Sequence, residues 1–324
     1  MNIIIVGRGV IGTAYGSVLS AAGHTVQHLL RGQDTRAGSA EGTVHLTMLD
    51  GRDHPPTEHM SEYTFTPASF PPGDVDLVLV SVPADALAGA LEDLRSRGYN
   101  RRLVLMGGVW LSGQQLDDIV GHHDYVLGYP IAGGRRDGSV YETVLFDSVR
   151  LQRPVEPAGS LHADAVTALR SAGLTVQQSG RMLEWLWLHQ AVNAGIIAAI
   201  AARHAPGDDL GGTVRAALSD PGTLSSGIRN IRECLRVVTA RGVRLRHHLP
   251  DVAAFLMPTA LSSRLMVAMF RRDVLSRRIM ELHHNLDDIL ALMTDVERTA
   301  RDRGVSTPGF DRDYGRAQFV VEKL

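Results

Sequence analysis

The chain has 324 residues, 44% apolar and 21% charged, which is room for two domains of about 150 residues each and rules out disorder along its whole length. A formal net charge of −2 provides no clustered basic surface, so neither nucleic acid nor an anionic membrane is expected as a partner. A single cysteine, Cys234, excludes an internal disulfide or a cysteine-built zinc cluster, and Lys323 is the one lysine, so a buried lysine acid or Schiff-base nucleophile is excluded elsewhere.

Asn2 to Val6 is a β-branched apolar run suited to a buried parallel strand. Gly7-Arg8-Gly9-Val10-Ile11-Gly12 follows, then a helical segment from Thr13 to Ala22 and a second strand from Thr25 to Leu30. A G-x-G-x-x-G motif alone is weak evidence. Between a strand and a helix in one short βαβ unit it is the fingerprint of a dinucleotide site. Gly7 permits the tight turn, Gly9 lets the backbone approach a pyrophosphate, and Gly12 lets the helix pack on the strand, while the helix N-terminus faces the anion. Residues 32–72 are polar, with alternating stretches Thr43–Met48 and Tyr63–Thr66 that suggest a hairpin-like excursion.

Val75–Val82 reads as a central strand, Asp85–Arg97 as an amphipathic helix, and Arg102–Met106 and Tyr125–Leu127 as further strands. Residues 129–139 read as a loop, Val140–Leu151 as extended, Leu161–Ala172 as a helix and Leu174–Gln178 as a last short strand. From Met182 onward no strand pattern is found. Helices are expected over Met182–Arg203, Gly222–Arg241 and Ser276–Arg303, with shorter pieces around 211–219 and 250–270. The predicted fold is α/β: a Rossmann-type doubly wound sheet over 1–180, binding the cofactor, and an all-helical domain over 181–324 for substrate and dimerisation. A cytoplasmic protein is expected, since no charged leader precedes an apolar run and none reaches the ~18 residues of a membrane span.

The end of the second strand selects the cofactor. An NAD site usually carries an acid there for the ribose 2′-OH, whereas this chain reads His28-Leu29-Leu30-Arg31-Gly32. Arg31 suits a 2′-phosphate, so NADP (as NADPH) is expected.

These features together resemble the ketopantoate reductase family: the glycine motif at residue 7, Arg31, the strand Asp76-Leu77-Val78-Leu79-Val80 and a helical C-terminal half. The most specific element is Trp187-Leu188-His189-Gln190-Ala191-Val192-Asn193, where the family has Trp, any residue, Lys, and Asn four after the Lys. Trp187 and Asn193 match, and His189 stands in the lysine's place. The family's Val-Lys strand end is here Val82-Pro83, its Asn-Gly end is Gly107-Gly108, and a second family asparagine is Ile197. The resemblance implies that Ser81, Val82, Pro83, Gly107 and Gly108 border the cofactor, and that Asn193, Ser276 and Asp288 serve the substrate. It also implies a helical domain like the C-terminal domain of 6-phosphogluconate dehydrogenase, and a homodimer.

Carbonyl reduction needs a donor at the oxygen as the hydride reaches carbon. His189 is the candidate, because an imidazole with a reference pKa of ~6.5 donates as imidazolium. Asn193, at i+4, lies on the same helix face. The expected activity is NADPH-dependent reduction of a small carbonyl compound, a 2-oxo acid. The alternatives are an imine reductase or opine-type dehydrogenase, and a non-catalytic NADP-binding sensor. No metal is expected: His122-His123, His247-His248 and His283-His284 are adjacent pairs whose side chains diverge.

Overall fold

Ile3 to Val6 run buried through β1 (Asn2–Val6), the pattern of a strand covered on both faces. The computed structural model describes residues 1–30, 42–68, 74–99, 102–154, 160–205, 208–282 and 286–321. These form two compact units, Met1–Leu183 and Glu184–Leu324.

In the first unit, β1 leads through the glycine loop into α1 (Val10–Ala21), and Gly23 turns the chain into β2 (Thr25–Leu29), parallel to β1. The hairpin β3 (Thr43–Asp50) and β4 (Thr57–Thr64) follows, then β5 (Leu77–Val80), α2 (Leu87–Ser96) and β6 (Leu103–Met106). Ser112 and Gln115 form a capping box that opens α3 (Gly113–Val120). The unit continues with β7 (Tyr125–Asp137), β8 (Val140–Gln152), α4 (Ser160–Ser171) and β9 (Thr175–Ser179). The strand order is β2-β1-β5-β6-β7-β8-β3-β4, with β9 on β8, and only the hairpins β3–β4 and β7–β8 pair antiparallel among the described residues.

The two ends of this sheet meet. His28 N–H donates to Thr66 O at 2.7 Å and Ala68 N–H donates to His28 O at 2.9 Å, joining β2 to the chain leaving β4. The sheet therefore wraps α1, whose Ala14, Tyr15, Val18 and Leu19 share one buried core with Ile3, Ile5, Leu46 and Leu145.

One stretch departs from the sequence reading. Residues 129–139 are not a loop, because β7 runs on through Gly133 and Gly134 to Asp137 and turns at Gly138 (φ +57°) into β8. At Gly134 a β-carbon would lie 2.0 Å from Glu142 O, so glycine at this position is what lets the strands pair. Arg135 pairs with Glu142 across the hairpin, and Arg136 donates to Gly138 O at 3.0 Å, so both arginines serve the turn.

The second unit contains only helices among the described residues, after the bounds of α5 (Met182–Ala201): α6 (Leu210–Ser219), α7 (Pro221–Ala240), α8 (Leu249–Leu256), α9 (Thr259–Arg272), α10 (Val274–Leu282), α11 (Leu286–Asp302) and α12 (Pro308–Val321). Ser276–Arg303, expected as one helix, is helical over all of its described length to Asp302, in α10 and α11, with 283–285 outside the described residues. α5 and α7 approach closely. A β-carbon at Gly195 would lie 2.5 Å from Ile231 N, and one at Gly227 2.5 Å from Ile196 Cδ1. α7 also holds its neighbours by polar contacts: Arg232 donates to Phe255 O, Met257 O and Thr259 Oγ1, and Glu233 accepts the Phe310 N–H at 2.8 Å at the start of α12. Among the described residues, no single helix is long and apolar enough to cross a membrane.

Candidate functional site

The glycine loop begins where β1 ends. Gly7 has φ +101°, in the left-handed region that a side chain disfavours, and its N–H donates to Leu29 O of β2 at 3.1 Å. A β-carbon at Gly12 would lie 3.2 Å from both Gly7 O and Ile5 Cγ2, so α1 seats on β1 only because that carbon is missing. Gly9 caps α1 with extended backbone (φ −71°, ψ 175°) and has no side chain to satisfy the first-turn N–H groups. No acid lies in that first turn, and a β-carbon at Gly9 would meet nothing within 4 Å. Free N–H donors, the positive end of the helix dipole and open space in front of them fit the pyrophosphate of a dinucleotide.

Buried side chains fix this loop from behind. His28 is completely buried on β2, with Nδ1 2.9 Å from Gly7 O and Nε2 2.8 Å from Tyr63 Oη. The carbonyl can only accept, so Nδ1 carries the proton and Nε2 accepts from the tyrosine hydroxyl. The His28 pKa is lowered to about 4, chiefly by burial, with the Gly7 bond opposing the shift and the nearby Arg8 charge adding to it. Burial likewise pushes Tyr63 up to about 12. Gly16 of α1 makes room for the pair, since a β-carbon there would lie 2.5 Å from Tyr63 Oη. From β8, Tyr141 donates to Arg8 O at 3.0 Å.

The other expected cofactor residues gather at neighbouring strand ends. A β-carbon at Gly7 would lie 3.3 Å from Ser81 O and 3.5 Å from Val82 Cγ1, and one at Gly107 would lie 3.6 Å from Val82 O. Pro83 is exposed and opens a short 3-10 turn, Ala84–Ala86, while Gly108 is half-buried beyond β6. Val10 and Ile11 pack partly buried against the core under α1. Arg31 lies outside the described residues.

In the second unit, His189 and Asn193 sit one turn apart on α5, both half-buried. The His189 ring stacks on Trp185 with centroids 5.0 Å apart and planes 18° apart, and Trp185 Nε1–H donates to Asp251 Oδ1 at 2.9 Å. Trp187 lies under the Arg241 guanidinium at 3.8 Å. Ser276 is in the first turn of α10, where its hydroxyl donates to Asp273 Oδ2 at 2.5 Å and so is already engaged. Asp288 falls on α11, and its side chain lies outside the described residues.

Comparison with known proteins bears on the first unit. Residues 3–144 match the family model of ketopantoate reductase PanE/ApbA. The helical unit lies beyond that match. Among solved structures, the fold is similar to a D-mandelate dehydrogenase complexed with NADH (TM-score 0.68, 15% identity, 100% of both chains covered). It is also similar to the dimeric ketopantoate reductase from Staphylococcus aureus (0.64, 14%, 100% of both) and a probable 2-dehydropantoate 2-reductase from Bacillus subtilis (0.65, 16%, 99% of this chain and 100% of that one). Identities this low establish a common fold. No curated protein matches the sequence significantly.

His28, Tyr63 and Tyr141 brace the glycine loop by hydrogen bonds that sequence reasoning missed. The only signal was a histidine among apolar residues on a buried strand, with nothing to name its partners. One further polar cluster lies at the turn between β3 and β4, where ligand atoms of Asp50, Asp53 and His59 come within 4.8 Å of one another. Arg52 ion-pairs with Asp50 there, and Nε2 of His59 lies 2.6 Å from Asp53 Oδ2, so these groups already have partners within the protein. Burial pushes the Cys234 thiol well above its usual range, which keeps it protonated and unreactive.

Proposed function

We propose that this protein is an NADPH-dependent reductase of a small 2-oxo acid, with His189 as the proton donor. The observation that carries the reading is the uncapped N-terminus of α1 behind the Gly7–Gly9 turn, within the residues that match the PanE/ApbA family model. The names of the similar structures support the substrate class. Mandelate is a 2-hydroxy acid and 2-dehydropantoate a 2-oxo acid, so both describe exchange between hydroxyl and carbonyl at C2. Arg31 at the end of β2 supports the phosphorylated cofactor over NADH.

The reduced nicotinamide supplies the hydride when bound. The chain's part is to hold the cofactor and to supply a proton to the carbonyl oxygen. The N–H groups of the first turn of α1 receive the pyrophosphate, and the His28–Gly7 bond keeps the loop in register. His189 carries its proton against the face of Trp185, where an indole ring stabilises a cation, and Asp251 holds that indole in place. Asn193, one turn along α5, orients the substrate or the imidazole.

The test is NADPH oxidation by the purified protein against a panel of 2-oxo acids, with and without added amines. Turnover of 2-oxo acids alone is expected. Turnover only with amines would replace the reading by an imine reductase, and binding without turnover on any substrate would leave a sensor.

A further inference from the structure

Arg8 is the second residue of the glycine motif, a position that the motif itself leaves free. Its surroundings are specific. The guanidinium carbon lies 4.9 Å from the centre of the Phe65 ring, and the edge of that ring is in T-shaped contact with His28 of β2 at 4.8 Å. The Arg8 carbonyl is held by Tyr141, and the neighbouring Gly7 N–H is bonded to Leu29 O at the end of β2. Arg8 Nε is buried and has no hydrogen-bond partner, and among the described residues no carboxylate pairs with the side chain. One of its terminal nitrogens would lie 3.9 Å from a β-carbon at Gly42. The guanidinium thus lies over an aromatic ring, in a loop bonded to the end of the second strand.

A guanidinium with no carboxylate on it among the described residues leaves its charge for an anion to meet. Its location says which anion. In a βαβ dinucleotide unit the pyrophosphate sits at the helix N-terminus and the adenosine ribose lies against the end of the second strand, with its 2′-substituent pointing there. We propose that Arg8 grips the ribose 2′-phosphate of NADPH, so that cofactor choice is made inside the glycine loop as well as at Arg31. The inference rests on the dinucleotide reading above and deepens it. Phe65 makes the difference between a solvated arginine and a reader of phosphate. Contact with the ring restrains the side chain, so less entropy remains to be lost when a phosphate binds. A 2′-hydroxyl offers no charge to that fork, whereas a phosphate offers several acceptor oxygens to it.

The experiment is calorimetric binding of NADPH, NADH, adenosine 2′,5′-bisphosphate and adenosine 5′-diphosphate to the wild type, Arg8→Met and Arg31→Ala, with thermal unfolding as a control for folding. Arg8→Met keeps the packing on Phe65 and removes the charge. The ratio of NADPH to NADH affinity is expected to fall about 10-fold or more in Arg8→Met, with the same loss in the 2′,5′-bisphosphate and not in the 5′-diphosphate. A ratio within about 2-fold of wild type would overturn the role of Arg8, and loss confined to Arg31→Ala would return the whole choice to that residue. If Arg8→Met fails to fold, Arg8→Lys makes the same comparison, because it keeps the charge and loses the planar fork. There a ratio lowered about 3-fold or more upholds the inference and an unchanged one overturns it. A wild type that binds neither dinucleotide would instead remove the dinucleotide reading itself.

Discussion

The two units place their functional groups by opposite means. In the first, the proposed cofactor surface is backbone: the N–H groups behind Gly9, in a loop braced by His28, Tyr63 and Tyr141 from three other strands. In the second, the candidate groups are side chains, His189 and Asn193, and the helix that carries them sets their spacing without help. α5 itself is located by close backbone approach, Gly195 against Ile231 of α7. Polar contacts tune the first site, while packing fixes the second. Substitutions should therefore damage the first unit mainly in what it binds, and the second mainly in whether it folds or turns over.

The largest effect should come from His189→Ala, with kcat lowered roughly 10²–10⁴-fold in steady-state assays. Unchanged turnover would make His189 a packing residue of α5. A pair of glycine variants probes the contrast directly. Gly195→Ala should lower unfolding free energy by about 2–3 kcal/mol, because its β-carbon meets backbone that cannot step aside. Gly9→Ala should cost no more than about 1 kcal/mol in stability, yet weaken dinucleotide binding about 10-fold or more. If both alanines harm stability alike, the distinction between the units fails.

A third prediction follows from His28. Its folded pKa of about 4 lies below the ordinary value of ~6.5, so the unfolded chain takes up the proton first as pH falls. Its contribution is complete above about pH 6.5 and is lost between there and about pH 4, amounting to ~3 kcal/mol. Denaturant unfolding at a series of pH values should show this slope in the wild type and a shallower one in His28→Gln. Parallel slopes would mean that burial does not hold His28 neutral in the folded chain. Smallest of all, Tyr63→Phe should cost about 1–2 kcal/mol and leave His28 Nε2 without its donor. Wild-type stability in that variant would show that His28 needs no second partner.

How much of this was visible in the sequence follows the same division. Gly7, Gly9 and Gly12 were legible because a fixed spacing is all their job requires, and so were the helical periods of α5 and α7. The hairpin β3–β4 was anticipated from alternation, but its attachment to β8 was not, because strand pairing at that separation leaves no local mark. Gly133-Gly134 looked like a loop because glycine weakens strand patterns, and only the register with β8 shows why a side chain is barred at Gly134. His28, Tyr63 and Tyr141 were hidden for a like reason. Each acts on the glycine loop from a distance along the chain, and a hydrogen bond between remote residues has no period.

The closure of the sheet at His28 also bears on modularity. A βαβ unit is commonly treated as a portable piece, cut out at the end of its second strand and grafted elsewhere. In this protein the first thirty residues hold the proposed anion-binding turn, but one hydroxyl of its buried support arrives with residue 63, the strand-edge bonds with residues 66 and 68, and a second hydroxyl with residue 141. A graft ending at Leu30 would carry the motif without its scaffold, and leave a buried histidine facing water with half its partners gone. A piece that keeps every one of these bonds extends through β8.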